Sequence, residues 1–196
     1  MFQEINSMKA ENTSFYSEEE LPELGLKSYG VNVKISRYAR MYSPHSICIG
    51  DNVRIDDFCI LSGKITLGSN IHISAYVALY GTNGITLKDY SGISPQSVVY
   101  SAMDDFSGDF LVGPIHPKGT TNVAGGPVVI EKYVQIGSNT VVFPNVTIGE
   151  GSVIGACSLV RHSVGEWGVY YGVPIVLKKE RNKKLLKYTG IEMTKR

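Results

Sequence analysis

Ile130, Ile136, Val142, Ile148, Ile154 and Val160 lie six residues apart without interruption. A small or β-branched residue stands four places after each: Val134, Thr140, Val146, Ser152, Ser158 and Val164. Neither an α-helix, with a period of about 3.6, nor a strand, with a period of about 2, repeats every six residues. A chain that turns a corner after each short strand does. One large and one small side chain then point inward per hexapeptide, and three hexapeptides close one triangular coil. A coil covers its inner surface only when neighbours stack on it, so several coils are required.

A second run, Ile49, Ile55, Leu61, Leu67, Ile73 and Leu79, keeps the same beat. Its smaller partners are Val53, Cys59, Ile65, Ile71, Val77 and Asn83, which predicts an inward slot for Asn83. The phase slips by two at Gly81-Thr82-Asn83-Gly84, a turn signal, and resumes with Leu87, Ile93 and Val99. Before residue 49 the pattern thins to Ile35 and Met41. Gly137, Gly149 and Gly155 directly follow three of the aliphatics and are expected to serve the bends through positive φ. A β-sandwich with evenly spaced turns is the competing architecture. Its strands would not hold one register through so many repeats.

The fold class predicted is an all-β solenoid with an extruded loop and a short C-terminal α-helix. Residues 1–30 read as an N-terminal extension with a short helix. Ser17 and Glu20 have the spacing of a capping box, and Pro22 keeps any helix there brief. Residues 31–177 form the solenoid, with the loop at 102–127. Residues 178–196 form a basic helix or tail. Lys178 to Tyr188 is the expected closing helix, with Leu185 and Leu186 on its inner side. Trp167, Tyr170 and Tyr171 are expected to cap the last coil. From Lys178 onward there are eight basic and two acidic residues, in a chain whose net charge is only +1. These cations are either a solvated helix face or, at Lys178, Lys179 and Arg181, ligands for phosphate.

The near-zero net charge argues against a nucleic-acid binder. No stretch reaches the roughly 20 apolar residues of a membrane span. Met1-Phe2-Gln3-Glu4-Ile5 lacks the basic-then-apolar order of a secretory leader. Cys48, Cys59 and Cys157 are an odd set without metal-type spacing. Cys59 falls in an inward slot, where packing is its expected role. A reduced, cytoplasmic protein without a metal is expected.

Between Ala102 and Pro127 the beat disappears. That segment holds Gly108, Gly113, Pro114, Pro117, Gly119, Gly125 and Gly126, and it concentrates ionisable side chains: Asp104, Asp105, Asp109, His116 and Lys118. A long insertion carrying chemistry on a rigid scaffold is a common arrangement. His45 and His72 lie among the early coils and read as surface residues, with His72 facing outward.

The run Gly126-Pro127-Val128-Val129-Ile130, then Ile136-Gly137, Pro144-Asn145-Val146-Thr147-Ile148-Gly149 and Ser152-Val153-Ile154-Gly155-Ala156, to Gly172-Val173-Pro174, resembles the C-terminal half of hexapeptide-repeat acyltransferases. The segment Ser101-Ala102-Met103-Asp104-Asp105-Phe106-Ser107-Gly108-Asp109 with Gly113-Pro114 is similar to a bacterial branch acting on sugars of surface polysaccharides. That branch includes amino-sugar N-acyltransferases and O-antigen-type O-acetyltransferases. The resemblance implies a left-handed parallel β-helix and a homotrimer. It implies acetyl-CoA or another acyl-CoA as donor, and a sugar or nucleotide-linked amino sugar as acceptor. It further implies pantetheine in a groove between two subunits, along Gly137, Ser138, Gly155 and Ala156 and beside Cys157. Arg161 and His162 follow, where many relatives have Thr-Lys-Asp, and Lys178, Lys179 and Arg181 match positions that hold phosphates.

Acyl transfer from a thioester needs a proton acceptor, an oxyanion stabiliser and alignment of two substrates. His116-Pro117 matches a catalytic dipeptide of the galactoside, maltose and xenobiotic acetyltransferases, and a histidine titrates near working pH. In the polysaccharide branch carboxylates take over, which makes Asp104 and Asp105 rival catalytic residues. Asp109, Ser101 and Lys118 are candidate acceptor contacts. N-acylation is expected, with O-acetylation of a hydroxyl as the alternative. A γ-class carbonic anhydrase shares the solenoid, but it needs three zinc histidines, and Thr120 and Thr121 stand where a second one would fall. A non-enzymatic assembly module would lack the ionisable loop.

Overall fold

The computed structural model describes residues 14–189. Short strands stack one coil above another into a parallel β-solenoid of about seven turns. The aliphatics of the beat form one continuous core. Ile49, Ile55, Leu61, Leu67, Ile73, Leu79, Ile130, Ile136, Val142, Ile148, Ile154 and Val160 are all buried, most of them completely. Register is strict: Ile35, Ile55, Ile73, Ile93, Ile136 and Ile154 lie directly above one another in one wall. Buried hydroxyls fill the small slots and bond to nearby backbone, as Ser152 Oγ does to Gly165 O and Ser97 Oγ to Gly137 O. No buried side-chain N or O lacks a hydrogen bond among the described residues.

The corners correct one expectation. The repeat glycines 137, 149 and 155 do not have positive φ. They are places where coils approach closely. A Cβ on Gly137 would lie 2.5 Å from Ala156 N, and one on Gly149 would lie 2.6 Å from the Gly165 carbonyl carbon. The left-handed corner positions are mostly asparagines and aromatics, which align into columns. The first corner carries Phe58, Tyr76, Gln96, Asn139 and Cys157; the second carries Asn32, Asn52, Asn70, Tyr90, Tyr133 and Trp167. Left-handed backbone costs a non-glycine residue roughly 1 kcal/mol. Side-chain ladders along the columns offset this. Asn32 donates to Asn52 and Asn52 to Asn70, while Tyr90 stacks on Tyr133 and Phe58 on Tyr76.

The third corner is the irregular one. The two-residue slip places Ile85, not Asn83, against Ile65 in the core. Asn83 is exposed there. It donates from its backbone amide to Ser101 Oγ and from Nδ2 to Ser101 O.

Both ends depart from expectation. Parallel coil pairing already begins at Ser28, which aligns with Cys48, and Phe15 bridges antiparallel to Ser36 ahead of it. Glu20 Oε2 accepts from Ser17 N, as half of the predicted box, ahead of a four-residue 3₁₀ turn, Leu21–Leu24. Among the described residues the expected C-terminal α-helix is absent, and residues 190–196 of the predicted tail lie outside them. Val176–Glu180 is a strand, antiparallel to Gly168–Tyr171, and Lys184–Tyr188 is a 3₁₀ turn. The reason is the open edge of the last coil: its unpaired amides and carbonyls take up a strand before a helix can nucleate. Of the three aromatics expected to cap the last coil, Tyr170 packs against the core, Trp167 is buried in the second-corner column against Gly151 and beside Tyr133, and Tyr171 is exposed. Among the described residues no helix is long and apolar enough to cross a membrane.

Candidate active site

The ionisable loop leaves from the third corner and is an ordered ribbon. Ala102–Asp104 pairs antiparallel with Val123–Gly125. Its root is bolted down: Gly126 N donates to Ser101 O, and a Cβ on Gly125 would meet that same oxygen at 2.4 Å. Ser101 is fully buried, and its hydroxyl also bonds Tyr80 O. It is a fastening of the root, with no surface left to offer an acceptor.

The carboxylates differ in their surroundings. Asp105 N donates to Asn122 O, extending the ribbon by one pair. Its side chain accepts from Ser107 N at 2.8 Å and from Asn122 Nδ2 at 2.9 Å. The Ser107 amide, and after it Asn122, hold this carboxyl below the usual range. Asp104 is half-buried and has one long contact, 3.4 Å from Gly113 N to Oδ1. That contact brings it against the start of the Gly113-Pro114-Ile115-His116 segment. His116 is half-buried, and its ring nitrogens have no hydrogen-bond partner among the described residues. Asp109 and Lys118 are exposed further out, near a turn closed by Thr120 on Pro117 O. Phe106, Phe110, Leu111, Val112 and Ile115 project from the ribbon into solvent, Ile115 to 87%.

The residues expected to hold the donor fall into three groups. Gly137, Ser138, Gly155 and Ala156 form a strip of small residues on successive coils beside the first corner. Tyr171 continues this strip, lying against Gly155, and Lys178 joins it with Nζ 5.0 Å from the Tyr171 ring. The amides of Ser138 and Ala156 are not used in the coil-to-coil ladder. Arg161 and His162 sit apart, at the third corner, with the Arg161 guanidinium 5.5 Å over the Phe143 ring. Lys179 is exposed on the closing strand, opposite Val169. Arg181 is turned to the second corner, where Nη1 donates to Tyr133 O and Gly151 O. There it lines a cavity of about 340 Å³ with Tyr90, Tyr133, Gln135 and Tyr188, at the other end of the Gln135–Ile136 strand from Gly137 and Ser138.

Nothing in the sequence singles out Asn122. Its role arises only when the ribbon folds it back across Asp105, and three-residue strands carry too little periodicity to predict that pairing. His72 faces outward as expected and bonds Asp56 at 2.7 Å. Burial pushes the Asp56 carboxyl up, but hydrogen bonds from Arg54 and His72 outweigh it and leave the group below its usual range. Burial pushes the Cys59 thiol up to about 11, in keeping with a packing role. No cluster of metal-ligating side chains occurs among the described residues.

Residues 127–162 match the family described as bacterial transferase hexapeptide (six repeats). The chain is 40% identical over 181 residues to dTDP-4-amino-4,6-dideoxy-D-glucose acyltransferase from Escherichia coli, covering 91% of this chain and 94% of that one. It is 34% identical over 119 residues to galactoside O-acetyltransferase from Escherichia coli (strain K12), covering 59% and 56%. Among solved structures it matches AntD, an N-acyltransferase from Bacillus cereus in complex with dTDP and 3-hydroxybutyryl-CoA. There the TM-score is 0.87 at 51% identity, over 90% of this chain and 94% of AntD. A serine variant of AntD in complex with dTDP-4-amino-4,6-dideoxyglucose and coenzyme A gives a TM-score of 0.88 at 50% identity, over 90% and 95%. Similarity of this extent, over nine-tenths of the chain, shows that it belongs to the hexapeptide-repeat acyltransferases, with their left-handed β-helix.

Proposed function

We propose that this enzyme transfers an acyl group from a CoA thioester to the amino group of a dTDP-linked 4-amino-4,6-dideoxy sugar. The observation that carries the reading is similarity over 90% of the chain to AntD, with dTDP-4-amino-4,6-dideoxyglucose and coenzyme A bound in one of its forms. The small-residue strip suits the donor. Glycine and alanine let an extended pantetheine lie flat, and the free amides of Ser138 and Ala156 can donate to its carbonyls. Lys178 supplies a cation at the strip's C-terminal end, where the phosphates would fall.

In this reading Asp104 faces the acceptor amine. The amine nitrogen forms a bond to the thioester carbonyl carbon, the carbon–sulfur bond breaks, and the nitrogen loses a proton while the thiolate gains one. A carboxylate with an unengaged oxygen can align the amine and hold the positive charge that grows on nitrogen. Solved forms of AntD include two in which one aspartate is replaced, by Asn or by Ala. His116 is the second candidate for the proton. It has no partner to orient its ring, unlike the activated bases of acyl-transfer sites.

The working unit in this reading is a homotrimer. One face of the prism turns Ile60, Ala78, Val98, Val141 and Leu159 outward in a single column beside the stacked Tyr80 and Tyr100. The face around the next corner instead presents Lys34, Arg54, His72 and Gln135. An apolar flank and an apolar ribbon tip on one chain suit burial against further copies. The three free cysteines and a CoA donor suit the cytoplasm.

The test is thiol release from acetyl-CoA and 3-hydroxybutyryl-CoA. The dTDP-4-amino-4,6-dideoxy sugar is compared with its 4-hydroxy counterpart. Release with the amine alone supports N-acylation. Release with the hydroxyl sugar alone would favour O-acetylation, the reading that His116-Pro117 and the galactoside O-acetyltransferase match support. Light scattering at the mass of three chains is expected; the mass of one chain would remove the shared cleft.

A further inference from the structure

Asp104 and Asp105 are neighbours in the chain but stand in different relations to the ribbon. Successive residues of an extended strand point to opposite faces. Asp105 places both carboxylate oxygens on the ribbon itself, one on the Ser107 amide and one on Asn122 Nδ2, while its own amide bonds Asn122 O. Two of these three bonds join the outgoing and returning strands at the point where regular pairing ends. Below this point Ser101, Asn83 and Gly126 bolt the root to the prism. Asp104 lies between the two fastenings, and its Oδ2 has no partner among the described residues.

We propose that Asp105 and Asn122 form a clasp that positions Asp104, and that Asp105 takes no proton itself. This rests on the acyl-transfer reading for what Asp104 does, but not for the clasp. A carboxylate already accepting two good hydrogen bonds is a poor proton acceptor, because protonation would have to break one of them. As a brace it is well suited, because charge strengthens both bonds. Loosening it would let the tip swing about the root and carry Asp104 off line. Displacements of about 1 Å cost roughly a hundredfold in well-aligned sites.

Conservative and truncating variants separate the roles. Asp105→Asn keeps the clasp, since Oδ1 still accepts from Ser107 N and the Asn122 amide can turn over to accept from the new Nδ2. It is expected to retain kcat within about threefold. Asp105→Ala and Asn122→Ala are expected to lower kcat roughly tenfold to a hundredfold, with the KM for acyl-CoA and the pH profile unchanged. Trypsin nicking after Lys118 should accelerate in the two alanine variants and match the parent enzyme in Asp105→Asn. Asp105→Asn as slow as Asp105→Ala, with nicking unchanged, would make Asp105 part of the chemistry and overturn the proposal. So would Asn122→Ala behaving as the parent in both assays. If the parent transfers nothing to the dTDP-linked amine while nicking follows the expected order, the acceptor assignment falls and the clasp stands.

Discussion

The coils of residues 128–165 and the ribbon of residues 102–125 are held together in opposite ways. In the coils, aliphatics point inward and each residue meets its counterpart one turn above, so one rule repeats and every position is over-determined. In the ribbon, polar side chains do the holding and large apolar ones face solvent. Each fastening there is a separate bond between particular partners: Ser101 with Asn83, Asp105 with Asn122, Thr120 with Pro117. Removing a core side chain should therefore weaken the whole stack. Removing a ribbon side chain should alter one activity and leave the stack intact.

The largest separation is expected at Asp104. Asp104→Asn should slow single-turnover acyl transfer by about 10²–10⁴-fold and leave thermal unfolding where it was. A variant that loses activity only because it melts early would break the contrast. Ile136→Ala is the converse. Its side chain is 1% exposed at mid-stack, so truncation should destabilise by about 2–5 kcal/mol and lower Tm by several degrees, while the folded enzyme keeps its kcat. His116→Ala should cost at least about tenfold in the chemical step; an unchanged single-turnover rate would remove His116 from the mechanism.

The smallest effect concerns the N-terminal latch. The hydrogen bond from Arg37, and after it the Ser17 amide, hold the Glu20 carboxyl down to about 2. A carboxyl lowered by folding stabilises above its ordinary value of 4.5 and loses that contribution as pH falls toward 2. Acid titration of unfolding should show a shallow loss across that window, abolished in Glu20→Gln. Since both partners are well exposed, added salt should flatten it.

Legibility in the sequence follows the same division. The coils could be read because Ile130 through Val160 obey one spatial rule, and burial enforces it at every turn. The acidic loop was visible as the place where the rule stops, but not its internal pairing. Asp104 and Asp105 look equivalent in sequence; a half-buried, nearly free carboxylate and a fully engaged one become distinct only after the chain folds back. Counting by six puts Asn83 in an inward slot, but a two-residue insertion shifts the count without changing residue type and hands that slot to Ile85. Lys178 to Tyr188 looked helical by composition, and an unpaired sheet edge outweighed that propensity. Arg181 likewise looked like one more tail cation until its guanidinium met the carbonyls of Tyr133 and Gly151.

That reversed final strand has a consequence for solubility. A stack of parallel strands is open at its end, and a second molecule could continue it indefinitely, as in a fibre. Val176–Glu180 runs the other way, is exposed along its whole length, and ends in Lys178, Lys179 and Glu180. An arriving molecule would meet the wrong polarity and a row of charges, so growth by end-to-end addition stops at this strand.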